Sequence, residues 1–268
     1  PMLAPGEWEE HEFASPSAPV PTERAVQHLP ASGEGTGTVA DLPLDDSRLS
    51  RSLDELIERR VEFLTRYQNA DYARDYSSFV SHVRDAEQAR LRGMHGLTEA
   101  VARNLFKLMS YKDEYEVARL YSDGAFRRQL EQQFEGDYTL TFHLAPPLFT
   151  KRDANGHLIK KEYGPSMLKW FGLLAKLKGL RGTAFDVFGY TEERRMERAL
   201  IKDYVQTIEG ILGEINGNNV DLAVKIAEIP QRMRGFGHIK EANVHTAKIE
   251  LGELLREFRN PLRLVRVA

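Results

Sequence analysis

A group of basic residues around two glycines near the end of the chain has a composition that suits anion binding. The group consists of the cations Arg232, Arg234 and Lys240 and the glycines Gly235 and Gly237. Backbone N–H groups at the start of a helix, together with cationic side chains, can hold a phosphate or a carboxylate. The alternative, which the pattern favours, is an ordinary turn between two helices whose basic side chains face water.

A second candidate is the segment RGTAFDVFGYT at positions 181–191, which lies between two predicted helices. We expect the carboxylate of Asp186 to pair with Arg181, or with Arg194 or Arg195 at the start of the next helix. Since no histidine or second carboxylate stands nearby, general acid–base catalysis is the weakest of three interpretations. Contact with a partner domain is the second, and the favoured one is that buried aromatic anchors hold neighbouring helices together.

The segment KDEYEVAR at positions 112–119 places five charged residues among eight. On a helix, Lys112 and Glu116 are four residues apart, as are Tyr115 and Arg119, so both pairs can interact along one face. The simplest interpretation is a solvated or ion-paired face. The functional alternative is an interface at which Tyr115 and Arg119 meet a partner domain.

The residue types needed for metal, disulfide or thiol chemistry are sparse in this chain. It contains no cysteine, which excludes thiolate nucleophiles and thiolate-bound clusters from the chain itself. Its eight histidines are scattered and form no H-E-x-x-H pattern. No Walker A pattern is present, and Gly235-Phe236-Gly237 follows a helix and a proline, not the strand of a Rossmann motif. The sequence therefore assigns neither a catalytic residue nor a metal ligand.

Composition is that of a globular protein and argues against some partners. Of 268 residues, 41% are hydrophobic and 29% charged, and the net charge is -3. A negative net charge argues against a chain built to coat nucleic acid. No apolar run approaches the roughly 18 residues that a membrane helix needs. We expect no nucleic-acid or membrane partner and a cytoplasmic location.

The chain divides into three parts. Residues 1–48 hold seven of the twelve prolines together with a glycine-rich run, and we interpret them as a linker or tail. Residues 49–260 carry the helical signals, and residues 261–268 are a second tail. We thus expect one helical domain between two less regular ends.

Local patterns in residues 49–260 predict a mainly α fold, an antiparallel helical bundle with a small β element around residues 138–163. Ser52 and Glu55 match a capping box, Asn69 separates two helical stripes, and Thr191 is placed to cap the longest helix. A further helix is predicted to continue through residues 111–122. Alternation over 138–144 predicts a strand, and Asn155-Gly156 predicts a hairpin turn between arms at 148–152 and 157–163.

Several long strings of this chain resemble the C-terminal region of the fused indolepyruvate ferredoxin oxidoreductases. The resemblance covers residues 45–258 and is carried by SLDELIERRVEFLTRYQNADYA, VARNLFKLMSYKDEYEVARLYSDGAF, QFEGDYTLTFHLAPP, LRGTAFDVFGYTEERRMERALI and IPQRMRGFGHIKEA, in this order. In that family these strings follow the thiamine-binding and catalytic parts. The resemblance implies a C-terminal assembly or interface domain.

The resemblance also implies which chemistry lies elsewhere in such an enzyme. These enzymes oxidatively decarboxylate aryl 2-oxo acids to acyl-CoA and pass electrons to ferredoxin, using thiamine diphosphate, Mg²⁺ and 4Fe-4S clusters. This chain has neither the Gly-Asp-Gly motif of the thiamine site nor a cysteine. We therefore expect no cofactor here, the remaining domains or subunits as direct partners, and ferredoxin as an indirect one. The alternative is a freestanding binding module for a phosphate- or carboxylate-bearing ligand.

Overall fold

The computed structural model describes residues 50–136, 138–144, 161–235 and 237–260, with the backbone alone at positions 125 and 129. The predicted linker at 1–48, the tail at 261–268, the hairpin turn at 155–156 and its first arm at 148–152 lie outside the described residues.

The described residues form a mainly α fold with a small β element, which confirms the predicted fold class. The helices are α1 (Leu53–Tyr67), α2 (Ala70–Arg90), α3 (Gly96–Met109), α4 (Glu114–Ser122), α5 (Ala125–Gln133), α6 (Met167–Lys176), α7 (Glu192–Leu212), α8 (Val220–Glu228) and α9 (Gly237–Arg259). Short 3₁₀ turns follow α6 at Leu177–Leu180 and α8 at Ile229–Arg232. No helix within the described ranges combines the length and the hydropathy that crossing a bilayer requires.

The β element is an antiparallel pair of short strands, β1 (Phe142–Leu144) and β2 (Lys161–Tyr163), with Phe142 opposite Tyr163. The predicted strand over 138–144 is therefore shortened to its last three residues. The second predicted hairpin arm contributes β2, and its described partner is β1.

Helix starts follow the predicted capping chemistry. The side chains of Ser52, Asn69 and Thr191 accept hydrogen bonds from backbone N–H groups three residues ahead, at 3.1, 2.9 and 3.4 Å. Each bond satisfies one of the donors that a helix start leaves without an internal partner. The caps at Ser52 and Thr191 thus confirm the predicted starts of α1 and α7, and Asn69 caps α2 at the predicted break between two helices.

The predicted helix over 111–122 is wrong in its first part. Helix α3 ends at Met109, and the Asp113 side chain accepts a hydrogen bond from the backbone N–H of Glu116 at 2.9 Å, which starts α4 at Glu114. Lys112 consequently precedes the helix, so it is not a helical i,i+4 neighbour of Glu116. An aspartate at an N-cap competes well with a helical continuation because it satisfies an otherwise unpaired donor.

Among the described residues, two hydrophobic clusters stabilise the fold. The larger one joins the buried faces of α1, α2, α3, α7, α8 and α9, with fully buried side chains such as Leu64, Tyr76 and Ile208. The smaller one lies between α4, α5, β1 and α6 and contains Phe126, Phe142 and Phe171 around the ring of Tyr121. The 181–191 segment connects α6 of the smaller cluster to α7 of the larger one.

Candidate functional site

A buried ion pair fixes the beginning of the 181–191 loop. The Arg181 guanidinium donates from Nε to Asp113 Oδ2 at 2.6 Å and from Nη2 to Oδ1 at 2.8 Å, and both side chains are only 3% exposed. Its Nη1 donates to the backbone oxygen of Tyr67 at 2.8 Å. A bidentate pair of this geometry is among the stronger polar contacts in proteins. One side chain of the loop therefore connects the end of α1 to the start of α4.

Aromatic rings complete the surroundings of Arg181. Its Cζ lies 3.7 Å from the ring centroid of Tyr67 and 5.6 Å from that of Tyr115, within the range of cation–π attraction. Burial alone lowers the pKa of Arg181, but the hydrogen bonds with Asp113 and nearby negative charge outweigh it, so the pKa is raised. The guanidinium therefore stays charged and is a permanent part of the fold.

The Asp186 carboxylate holds the two ends of the same loop together. Its Oδ2 accepts from the backbone N–H of Gly182 at 2.8 Å, and its Oδ1 accepts from that of Gly189 at 3.0 Å. The Tyr115 hydroxyl, from α4, donates to Oδ1 at 3.2 Å. We call these residues the Asp186 contact network; the structure thus brings the candidates Tyr115 and Asp186 together.

Gly189 is required by the close approach of Asp186. A Cβ at position 189 would overlap the Asp186 carboxylate, so every other residue would displace it. From α7, Arg198 donates from Nη2 to the Gly189 oxygen at 2.6 Å, and its Nη1 lies 3.9 Å from Asp186 Oδ2. The predicted pairing of Asp186 is therefore corrected: its cation is Arg198, while Arg181 contacts Asp113.

The chemistry of the Asp186 contact network is that of a structural support. Burial first, and then the negative charge of Asp186, raise the pKa of Tyr115 well above its usual range. The phenol therefore remains a hydrogen-bond donor, and Phe188 packs edge-on against its ring, with 5.4 Å between centroids. A carboxylate held by two backbone donors and a phenol is suited to fixing a loop conformation.

Arg119 belongs to a different set of contacts. It binds Glu116 through Nε and Nη2 at 2.8 and 2.7 Å, and its Nη1 lies 3.3 Å from Asp123. Its guanidinium also lies 5.5 Å from the ring centroid of Phe63 in α1. Tyr115 and Arg119 are thus both partly or wholly covered, and each serves contacts within the domain.

Several large apolar side chains of α6 and of the 181–191 loop are exposed. Trp170 is 64% exposed and Phe185 76% exposed. We call the whole set the apolar surface: Trp170, Leu173 and Leu177 from α6 and its 3₁₀ turn, and Phe185, Val187 and Tyr190 from the loop. The other large apolar side chains exposed in the described ranges are scattered: Met94, Tyr138, Ile239 and Ile249. Exposed apolar area is therefore concentrated in two consecutive segments.

Helix α6 packs against the domain with one face and exposes another. Phe171 is buried in the smaller cluster, and Met167, Leu168 and Leu174 pack beside it. Trp170, Leu173 and Leu177 stand at spacings of three and four, so they share the opposite face. This helix is apolar on both sides, and the described part of the chain covers one of them.

The three cationic side chains of the basic turn at 232–240 contact separate acceptors. Lys240 Nζ lies 2.6 and 2.8 Å from the two carboxylate oxygens of Glu197 in α7, and Arg232 Nη2 lies 2.9 Å from Glu250 Oε1. Arg234 Nε donates to the backbone oxygen of Gln231, in the preceding 3₁₀ turn, at 2.9 Å. Three different protein acceptors therefore engage the three candidates. Anion binding at this turn stays a prediction.

Sequence reasoning misses Asp113, Arg198 and Glu197. Asp113 carries a local signal, because an aspartate before an acidic helix start is a typical N-cap. The other two carry none, since Arg198 meets Gly189 nine residues away and Glu197 meets Lys240 43 residues away. Within the described ranges, no group of three or more His, Asp or Glu side chains forms a potential metal site.

Comparison with known proteins gives a family but no activity. No curated protein and no solved structure matches the chain. A family of unknown function, DUF6537, matches residues 53–253, which span α1 to most of α9 and include both the loop and the apolar surface. The chain therefore belongs to the DUF6537 family.

Proposed function

We propose that this domain is an interface module that joins the other domains or subunits of an oxidoreductase of the indolepyruvate ferredoxin oxidoreductase type. The observation that carries the proposal is the apolar surface. Large exposed apolar side chains concentrated in one part of a chain indicate an interaction site, and Trp and Tyr are often found at the energetic centres of interfaces. Trp170 and Tyr190 are both in this set.

The support beneath the apolar surface strengthens the proposal. The Asp186 contact network and the Arg181–Asp113 ion pair fix the loop from below, so Phe185, Val187 and Tyr190 are presented from a defined backbone. Ordering a flexible loop costs binding free energy, and a loop that is already ordered avoids that cost. A buried polar base with an apolar outer face is therefore an arrangement suited to docking.

The type of enzyme rests on the sequence resemblance. In the proposed assembly, other domains hold thiamine diphosphate, Mg²⁺ and the 4Fe-4S clusters and oxidise aryl 2-oxo acids to acyl-CoA, with ferredoxin as electron acceptor. This chain has no cysteine with which to bind a cluster. Its proposed part is assembly, in the cytoplasm, without catalysis of its own.

The test is binding between this domain and the remaining domains of the enzyme, measured by calorimetry. We expect a stable complex in which Trp170→Ser and Phe185→Ser each weaken binding by about 30-fold, as for interface positions worth about 2 kcal/mol. The matched control is Met94→Ser and Ile249→Ser, which remove exposed apolar side chains elsewhere and should leave the dissociation constant within about threefold.

Two results would overturn the proposal. One is a domain that forms no complex with the remaining domains at micromolar concentration. The other is a complex whose affinity is the same for the Trp170→Ser and control variants, which would move the interface away from the apolar surface.

A further inference from the structure

A groove separates α7 from α9 beyond the ion pairs that connect them. Lys240 of α9 contacts Glu197 of α7, and Lys248 Nζ of α9 lies 3.0 Å from Asp203 Oδ2 of α7. Because the later residue of one helix pairs with the later residue of the other, the two helices run in the same direction. Past Lys248 the helices flank an open cavity of about 450 Å³ that extends to Arg259. This is the α7–α9 groove, and its volume lies within the usual range of small-molecule sites.

Apolar side chains form most of the floor and walls of the α7–α9 groove. They come from α7, α8, α9 and the 3₁₀ turn, and include Leu200, Ile226, Ile229, Met233, Leu251 and Leu255. Ile226 and Ile229 are themselves buried, so the floor is rigid core surface. An apolar ligand lying here would be removed from water against a preformed surface.

Two glycines inside helices open the walls of the groove. Gly210 in α7 and Gly252 in α9 both line it, and a Cβ added at either position would meet no atom within 4 Å. A glycine in a helix interior destabilises the helix by about 1 kcal/mol relative to alanine. No packing among the described residues requires glycine at these two positions. Because both glycines line the groove and lack side chains, they widen it where a ligand would lie.

Charge differs between the two ends of the groove. At one end Lys248 is paired with Asp203. At the other, eleven residues or about 16 Å along α9, Arg259 has no acidic partner among the described residues. The groove therefore offers an apolar channel that ends at a guanidinium without an acidic partner in the described ranges, a group that binds carboxylate and phosphate well.

From these observations we infer that the α7–α9 groove binds a small linear amphiphile, with its hydrocarbon chain between Gly210 and Gly252 and its anionic head group at Arg259. The volume fits a small molecule better than a partner helix, which is itself 10–12 Å wide. The inference does not depend on the proposed interface, because none of the six residues of the apolar surface lines the groove.

A chain-length series tests the apolar part. Hexanoate, octanoate and decanoate are titrated into the intact chain by calorimetry, and each added methylene should tighten binding by up to about fourfold until the groove is filled. Octyl phosphate in place of octanoate shows which anionic head group is preferred. Affinity that does not depend on chain length would overturn the inference.

Two variants locate the ligand. Gly252→Leu places a side chain in the empty space of the groove and should reduce decanoate affinity at least tenfold, while the helix remains intact. Gly213→Leu is the matched control, since Gly213 also has open space around it but does not line the groove. Equal affinity in both variants would exclude the groove as the site.

The head group is tested by charge. Arg259→Gln should weaken octanoate about tenfold and leave the affinity for uncharged octanol unchanged. Loss of octanoate binding in Trp170→Ser, with no effect of Gly252→Leu, would instead place the amphiphile on the apolar surface. Concentration-dependent dimers that Gly252→Leu abolishes, without amphiphile binding, would show a second copy in the groove and overturn the assignment.

Discussion

The 181–191 loop and the 232–240 turn both place arginine and glycine before a long helix, yet the fold uses the two segments differently. Arg181 is buried and makes a bidentate ion pair with Asp113, whereas Arg232 is 65% exposed and meets one carboxylate oxygen of Glu250. The difference lies in the partner: Asp113 is an N-cap inside the domain, while Glu250 stands on the surface of α9. Similar residues thus give a buried support in one segment and a solvated turn in the other.

The ion pair of Lys240 is less buried than that of Arg181 and more buried than that of Arg232. It reaches Glu197, and the two side chains are 15% and 5% exposed. The three ion pairs therefore form a graded series from core to surface. Since the cost of leaving one charge unpaired rises with burial, their disruption should follow the same order.

Disruption of the Arg181–Asp113 pair should have the largest effect. Asp113→Ala leaves a buried guanidinium without its counter-ion and removes the N-cap of α4, and we expect the free energy of unfolding to fall by about 3–5 kcal/mol. Urea denaturation measures the change. The control is the double variant Arg181→Met with Asp113→Asn, because asparagine retains capping ability and no buried charge remains. A double variant as unstable as Asp113→Ala would show that the charge pair itself is stabilising.

Disruption of the Lys240–Glu197 pair should have an intermediate effect. Lys240→Met leaves the nearly buried Glu197 carboxylate without a cation, and we expect a loss of about 1–3 kcal/mol in urea denaturation. Adding Glu197→Gln should recover part of it. A loss as large as that of Asp113→Ala would contradict the graded series and make the two connections equivalent.

The sequence predicts those features of the fold that depend on neighbours three or four residues apart. The predicted caps at Ser52 and Thr191 are hydrogen bonds of this range, and they are confirmed; at Asn69, where only a break between helices is predicted, the side chain also caps α2. The capping role of Asp113 has the same range, but the apolar spacing on both sides favours a continuous helix and conceals it. The capping signal of Asp113 was thus present in the sequence, but the periodic spacing of apolar residues around it favoured the wrong prediction of a continuous helix.

The partners within the candidate site could not be predicted because they depend on tertiary packing. Arg181 and Asp113 are 68 residues apart, and nothing near either one identifies the other. The exposure of Trp170 is hidden for a different reason. Helix α6 is apolar on both faces, so the spacing of its apolar residues does not reveal which face packs against the domain.

Disruption of the Arg232–Glu250 pair should have the smallest effect. Arg232→Ala removes a surface contact in which the arginine is largely solvated, and we expect the free energy of unfolding to change by less than about 1 kcal/mol. A double-mutant cycle with Glu250→Ala should give a coupling below about 0.5 kcal/mol, decreasing further in 1 M NaCl, where the Debye length is only about 3 Å. A coupling above 2 kcal/mol that persists in salt would contradict the interpretation of residues 232–240 as a solvated turn. It would also place Arg232 with Arg181 among the residues on which the fold depends.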